Sequence, residues 1–332
     1  MTSVNQQILL VSRPQGAMSA ENFKLVETPL APLAEGQFRV RNHFLSIDPY
    51  MRGRMSDAKS YSAPAPLGEV MLGATAGEVV ETKHPGFAVG DKVTAAFGWQ
   101  AYGTSDGTGV QKVDTTRVPL SAYLGAAGMP GVTAWYGLNK IIAPRAGQTV
   151  VVSAASGAVG GVVGQLAKRA GCRAVGIAGG QEKCRYVVDT LGFDACVDYK
   201  AGNLDEDLKS ATPEGVDGVF ENVGGVVLDA TLARMNPFGR IALCGMIAGY
   251  DGNPIPLTRA STLLTMRLMM QGFIISEHFD IWPTALAELA GLVAEGKLHY
   301  RESIVDGLAR APEALMGVLT GKNFGKQLVK LV

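Results

Sequence analysis

The run Ala155-Ser156-Gly157-Ala158-Val159-Gly160 is a G-x-G-x-x-G pattern with alanine at its first position. The apolar stretch 149–154 before it reads as a buried strand. After it, Val159, Val162, Val163, Leu166, Ala167 and Ala170 recur on one face of a helix. A strand, a glycine turn and a helix in that order suit a pyrophosphate. Gly157 lets the backbone approach the anion, Gly160 lets helix and strand pack closely, and the helix start offers free N–H groups. Gly157, Ala158, Val159 and Gly160 are therefore expected to bind a dinucleotide. A second strand, 173–178, runs into Gly179-Gly180 with no acid at its end. A carboxylate there, roughly 20 residues on, would hold the ribose of the unphosphorylated coenzyme. Lys183 follows instead, with Arg185 behind it, so the expected cofactor is NADP(H).

Metal chemistry has little to work with. The four cysteines, Cys172, Cys184, Cys196 and Cys244, all lie in the second half and form no C-x-x-C pair. They read as reduced, mostly buried thiols. The first 125 residues hold no cysteine and only His43 and His84, one on the polar face of a strand and the other beside a Pro-Gly turn. Neither the usual catalytic zinc nor a four-cysteine zinc lobe is expected. Without a Lewis acid, oxidising a simple alcohol is harder than reducing a C=C bond conjugated to a carbonyl. In that reduction hydride adds to the β-carbon, and the charge appears on an oxygen that a few hydrogen-bond donors can hold.

These groups need a scaffold, and 332 residues with 47% hydrophobic and 18% charged side chains suffice for about two domains. Lys+Arg and Asp+Glu are both 30, which excludes a strongly basic nucleic-acid or membrane-surface footprint, and 7% aromatics argue against a base-stacking platform. Residues 118–139 and 146–167 are free of charge, but prolines and glycines interrupt them, so a buried core is expected rather than a membrane span. No secretory signal is visible at the N-terminus, and a cytoplasmic location is expected. Residues 1–125 read as mostly β. In 37–45, Phe38, Val40 and Phe44 face one way and Arg39, Arg41 and His43 the other. Beyond 125, strands alternate with helices, which implies a parallel sheet. Strands are expected at 149–154, 173–178, 195–199, 216–223, 240–244 after a turn at 236–239, and 269–275. Helices are expected at 182–191 and 283–295. A helix at 313–319 and a strand at 327–332 return to the first domain. The domains are thus 1–125 with 297–332, and 126–296.

Several motifs resemble one family. Residues 45–55, LSIDPYMRGRM, are similar to the L-S-x-D-P-Y-M-R-x-R-M signature of the zinc-independent medium-chain dehydrogenases/reductases in the prostaglandin reductase (leukotriene B4 dehydrogenase) and 2-alkenal reductase group. Also similar are MPGVTA at 129–134, GGQEK at 179–183, ENVGG at 221–225, CGMI at 244–247 with Tyr250, and GKNFGK at 321–326. The resemblance implies an α/β chain with a GroES-like β-rich catalytic domain and a Rossmann domain, a doubly wound parallel sheet that binds NADP. It implies NADPH-dependent reduction of the C=C bond of α,β-unsaturated ketones and aldehydes. A zinc-free quinone reductase on the same scaffold is the alternative. It gives Lys183 and Tyr199 to the 2′-phosphate and adenosine side. Asn222, Cys244, Gly245, Tyr250, Phe273, Ile275 and Asn323 line the rest of the cofactor groove, and Thr133 lies near the nicotinamide. Tyr50 and Tyr250 stand near the substrate, as hydrogen-bond donors or as walls. Thr265 stands where eukaryotic members commonly carry a tyrosine. The implied partners are a small enone or enal and a second copy of the chain, paired through the edge strand 269–275. The methionine-rich run 266–270 is expected in the core or at that interface.

Overall fold

The structure is a computed structural model that describes residues 4–332. The chain opens with β1 (Val4–Leu10) and β2 (Phe23–Pro29), an antiparallel ribbon. There follow β3 (Phe38–Ile47), the short helix α1 (Tyr50–Arg54), β4 (Thr75–Thr82), β5 (Lys92–Ala95), β6 (Tyr102–Ser105) and β7 (Gln111–Lys112). The simple alternation expected for β3 does not hold. Its register against β4 shifts between Arg39 and Val40 and again between Asn42 and Phe44. Such bulges re-aim side chains. Asn42 is fully buried and Phe44 only partly so. Asn42 is satisfied there: its Oδ1 accepts from Thr75 Oγ1 at 2.9 Å and its Nδ2 donates to Gln100 O at 2.9 Å. Arg39 is also buried and pairs with Glu81 at 2.5 Å.

The chain next runs through α2 (Met129–Tyr136), β8 (Thr149–Ser153), α3 (Gly160–Arg169), β9 (Arg173–Ala178), α4 (Gln181–Asp189), β10 (Ala195–Asp198), α5 (Leu204–Ala211), β11 (Val216–Glu221), α6 (Gly225–Leu232), β12 (Met235–Leu243), α7 (Ser261–Thr265), β13 (Met269–Gly272) and α8 (Trp282–Ala294). Among the described residues, its strands form one six-stranded parallel sheet in the order β10-β9-β8-β11-β12-β13. The order reverses between β8 and β11, and a sheet of this kind binds ligands at such a switch. Burial on both faces explains the unbroken apolar runs: Val150 and Val152 pack into one core cluster and Val151 into another. The turn expected at 236–239 lies inside β12. Phe238 takes φ +65°, and the pairing of β11 with β12 shifts register between Val216 and Gly218. β13 ends at Gly272, short of the expected 275, and it is the sheet's edge.

The tail adds β14 (Glu302–Asp306), α9 (Ala311–Leu319) and β15 (Lys326–Lys330). β15 pairs antiparallel with β3 and parallel with β14, giving the order β14-β15-β3-β4-β5-β7 with β6 also on β3. The chain divides into two compact units. The first runs to Leu124 and takes in Glu302–Val332, and the second is Gly125–Arg301. The return begins later than the expected 297 because 297–301 stay with the second unit. Leu298 lies in its core, and the His299 backbone exchanges two 2.8 Å hydrogen bonds with the Gln165 side chain. No helix among the described residues is long and apolar enough to cross a membrane.

Candidate active site

In the second unit the expected cofactor residues other than Thr133 follow the carboxyl ends of successive parallel strands, which align those ends along one margin of the sheet. Ala154 begins the turn after β8 with φ +50°. Gly157 N donates to Ala154 O at 2.9 Å, and Gly161 N to Gly157 O at 3.0 Å. A Cβ on Gly160 would stand 2.5 Å from Ala154 O. The backbone closeness predicted for that position is real. Alanine in place of the first glycine has a local compensation: Ala155 is fully buried, and a Cβ on Gly176 of β9 would stand 2.8 Å from its methyl. Gly176 lies outside the motif, so the pattern alone does not reveal it.

Lys183 lies in the first turn of α4, partly buried. Burial and then the charge of Lys200 draw its ammonium below the usual lysine range, against an opposing pull from Glu182. Lys200, which the sequence reading passed over, follows β10. Its Cε and the Tyr199 ring lie 3.0 and 2.8 Å from where a Cβ on Gly179 would be. Tyr199 is exposed, with the Lys200 Nζ 5.8 Å from its ring centroid. A positive charge at Lys200 that disfavours a second one at Lys183 makes a place suited to an anion. A carboxylate is also present, Asp198, but it is committed to the loop: its Oδ1 accepts from Gly180 N at 2.8 Å and from Lys200 N at 3.0 Å.

A buried network closes the ends of β8, β11 and β12. Glu221 is completely buried. Its Oε1 accepts from Ser153 Oγ at 2.9 Å, Val223 N at 2.6 Å and Gly224 N at 2.7 Å, while Oε2 has no partner. Burial outweighs these bonds and holds the carboxyl above its ordinary range. Asn222 donates to Ser153 from its backbone at 2.7 Å and from its amide at 2.8 Å. The Cys244 and Gly245 amides donate to Glu221 O at 2.9 and 3.1 Å, and Ile247 N to Asn222 O at 3.2 Å. Asn222, Cys244 and Gly245 are thereby brought together. Burial and Glu221 push the Cys244 thiol up to about 12. Tyr250 follows the turn Ile247–Gly249, half-exposed. The other expected groove residues are more enclosed. Phe273 packs edge-on to Phe220, and it and Ile275 belong to the core. Thr133 is buried in α2, its hydroxyl donating to Met129 O at 2.8 Å.

In the first unit Tyr50 opens α1. Burial, then Asp48 and Tyr61, raise its phenol well above the usual tyrosine range, so it is a neutral O–H at pH 7. Just before it, Lys326 of β15 donates to Asp48 Oδ1 at 2.5 Å and to Ile47 O at 3.0 Å, and Ser46 Oγ donates to the other Asp48 oxygen. Asn323, also of the tail, donates to Gly325 O at 2.9 Å. Neither the glutamate network nor this ion pair was foreseen. ENVGG and GKNFGK held the residues, but only the pairing of distant strands supplies their partners.

Residues 6–113 match a family model described as the N-terminal domain of oxidoreductase, and 158–291 one described as zinc-binding dehydrogenase. NADPH-dependent curcumin reductase of Escherichia coli (strain K12) is 45% identical over 98% of this chain and 97% of its own length. Prostaglandin reductase 1 of Rattus norvegicus is 41% identical over 95% and 96%. The chain belongs to the medium-chain dehydrogenase/reductase family, in the group of the prostaglandin and curcumin reductases. Among solved structures of this family, CurA from Vibrio vulnificus in complex with NADPH superimposes with a TM-score of 0.94 at 46% identity, covering 98% of this chain and 99% of that one. Although one family model carries zinc in its description, no three His, Cys, Asp or Glu side chains among the described residues are grouped as a metal ion would need.

Proposed function

We propose that the chain reduces the C=C bond of α,β-unsaturated ketones and aldehydes with NADPH. The observation that carries this reading is Lys183 in the first turn after β9, whose ammonium feels the charge of Lys200 after β10, in a member of this reductase group. The residues fit the cofactor. Gly157–Gly160 offer the pyrophosphate a backbone turn at the start of α3, in which Gly160 leaves room for Ala154 O, and the two lysines match the 2′-phosphate. We assign cofactor binding to the second unit, with Asn222, Cys244, Gly245 and Tyr250 along the groove and Phe273, Ile275 and Thr133 as its buried support. We assign Tyr50 of the first unit to the substrate, with Asn323 on the cofactor from the tail. NADPH, when bound, supplies a hydride to the β-carbon. Tyr50 stays protonated through the neutral range and can donate to the carbonyl oxygen as negative charge gathers there. The Glu221 network fixes the segments that carry Asn222 and Gly245.

The four free thiols support a reducing, cytoplasmic setting. The open edge of β13 supports a homodimer. Met269 is exposed on it, and Leu264 and Phe238, 80% and 70% exposed, lie in the neighbouring segments. NADPH consumption with a simple enone, an enal and a quinone tests the activity. The reading expects turnover of the first two, with a saturated product by NMR. Turnover of the quinone alone would make the chain a quinone reductase.

A further inference from the structure

One pair of side chains in the second unit has a chemistry that hydride transfer does not use. Cys184 lies in α4 and Cys196 in β10, and their sulfurs are 3.1 Å apart. A disulfide bond is roughly 2.05 Å long, so about 1 Å of approach separates the contact from a bond. Both residues are partly exposed, whereas Cys172 is buried and donates to Arg145 O. The hydrogen bond from Cys196 draws the Cys184 thiol below its usual range, and the same bond with burial pushes Cys196 up. The pair therefore divides into a nucleophile and a retained thiol, the arrangement that oxidation to a disulfide needs.

We propose that Cys184 and Cys196 are a site of reversible oxidation, at which a hydroperoxide closes a disulfide between the segments that carry Lys183 and Tyr199. The Cys184 thiolate attacks one peroxide oxygen. The O–O bond breaks, and the departing oxygen leaves as water or an alcohol after taking a proton, so Cys184 becomes a sulfenic acid. The Cys196 sulfur then attacks the Cys184 sulfur. The S–S bond forms, the S–O bond breaks, and hydroxide leaves as water with the Cys196 proton. Two thiols lose two electrons and two protons, and the peroxide gains them. A dithiol reverses the step by exchange.

The site is placed to be felt at the cofactor. Lys183 precedes Cys184 on the same helix, and Lys200 lies four residues beyond Cys196. Drawing α4 toward β10 shifts one lysine against the other and weakens the hold on a 2′-phosphate. This consequence rests on the NADPH reading, whereas the oxidation itself does not.

The test uses the full-length protein treated with a small excess of hydrogen peroxide, then alkylated in denaturant and digested. The expected result is a Cys184–Cys196 cross-linked peptide, two alkylatable thiols left at Cys172 and Cys244, and full reversal by dithiothreitol. In C196S a dimedone adduct forms at Cys184, and in C184S peroxide produces neither adduct nor cross-link. Oxidised wild type shows a several-fold higher KM for NADPH, and peroxide-treated C184S does not. Oxidation falling first on Cys172 or Cys244, or no cross-link in folded wild type, overturns the site. A cross-link with unchanged KM overturns the coupling. Equal affinity of the reduced protein for NADPH and NADH instead overturns the phosphate reading and leaves the cross-link result intact.

Discussion

In the proposed site Lys183 and Lys200 both serve the 2′-phosphate, so removing either is expected to leave a weaker anion site. K183E places a carboxylate beside the 2′-phosphate. It is expected to raise the KM for NADPH roughly 10–100-fold, the scale of a lost charge-assisted contact, while the KM for NADH changes less than threefold. K200A should act in the same direction and more weakly, because its ammonium is the more exposed. Steady-state kinetics with both coenzymes checks this, and equal shifts would remove the lysines from the phosphate. Gly160 answers to sterics instead. G160A puts a methyl 2.5 Å from Ala154 O, and overpacking of this kind costs about 1–3 kcal/mol. Urea unfolding should show that loss, together with loss of the thermal shift that NADPH gives the wild type.

At the scale of elements, the glycine turn was legible because strand, turn and helix are contiguous in sequence. Lys200 and Glu221 were not, because their significance depends on which strands become neighbours. Arg39 and Phe44 depart from the expected alternation, one buried and the other only partly so, because a bulge is invisible to strict alternation. Glu221 makes the point testable. Its carboxyl is held above the ordinary 4.5, so between that value and its folded value the native protein keeps a proton that the unfolded chain has lost. Its contribution is full below the window and declines as pH rises through it. E221Q keeps the Oε1 acceptor without the charge. Its stability relative to wild type should therefore improve as pH rises above 4.5 and level off once the folded carboxyl has ionised, and parallel curves would refute this. E221A strands three donors and should lose about 2–4 kcal/mol. The tail strand offers a second case. Lys326 and Asp48 are buried together, and K326M leaves the carboxylate without its counter-charge at a cost of roughly 3–5 kcal/mol. K326M/D48N should recover part of that loss, and additivity in urea unfolding would show that the pair does not act as one unit.

For the whole molecule, the alternation of strands and helices after residue 125 and the return of the tail were readable because hydrophobic period and turn residues are local signals. The exact return at Glu302 was not, since Gln165 holds His299 from more than a hundred residues away. If β13 is the edge through which two copies pair, M269K should shift the protein from dimer to monomer in sedimentation velocity. A monomeric wild type would contradict that arrangement. The central claim concerns where hydride goes. With NADPH deuterated at the transferring position of the nicotinamide and a simple enone, NMR of the product should show a saturated ketone with deuterium at the β-carbon. Deuterium on the carbonyl carbon of an allylic alcohol, or no reduction of any enone, would contradict the account.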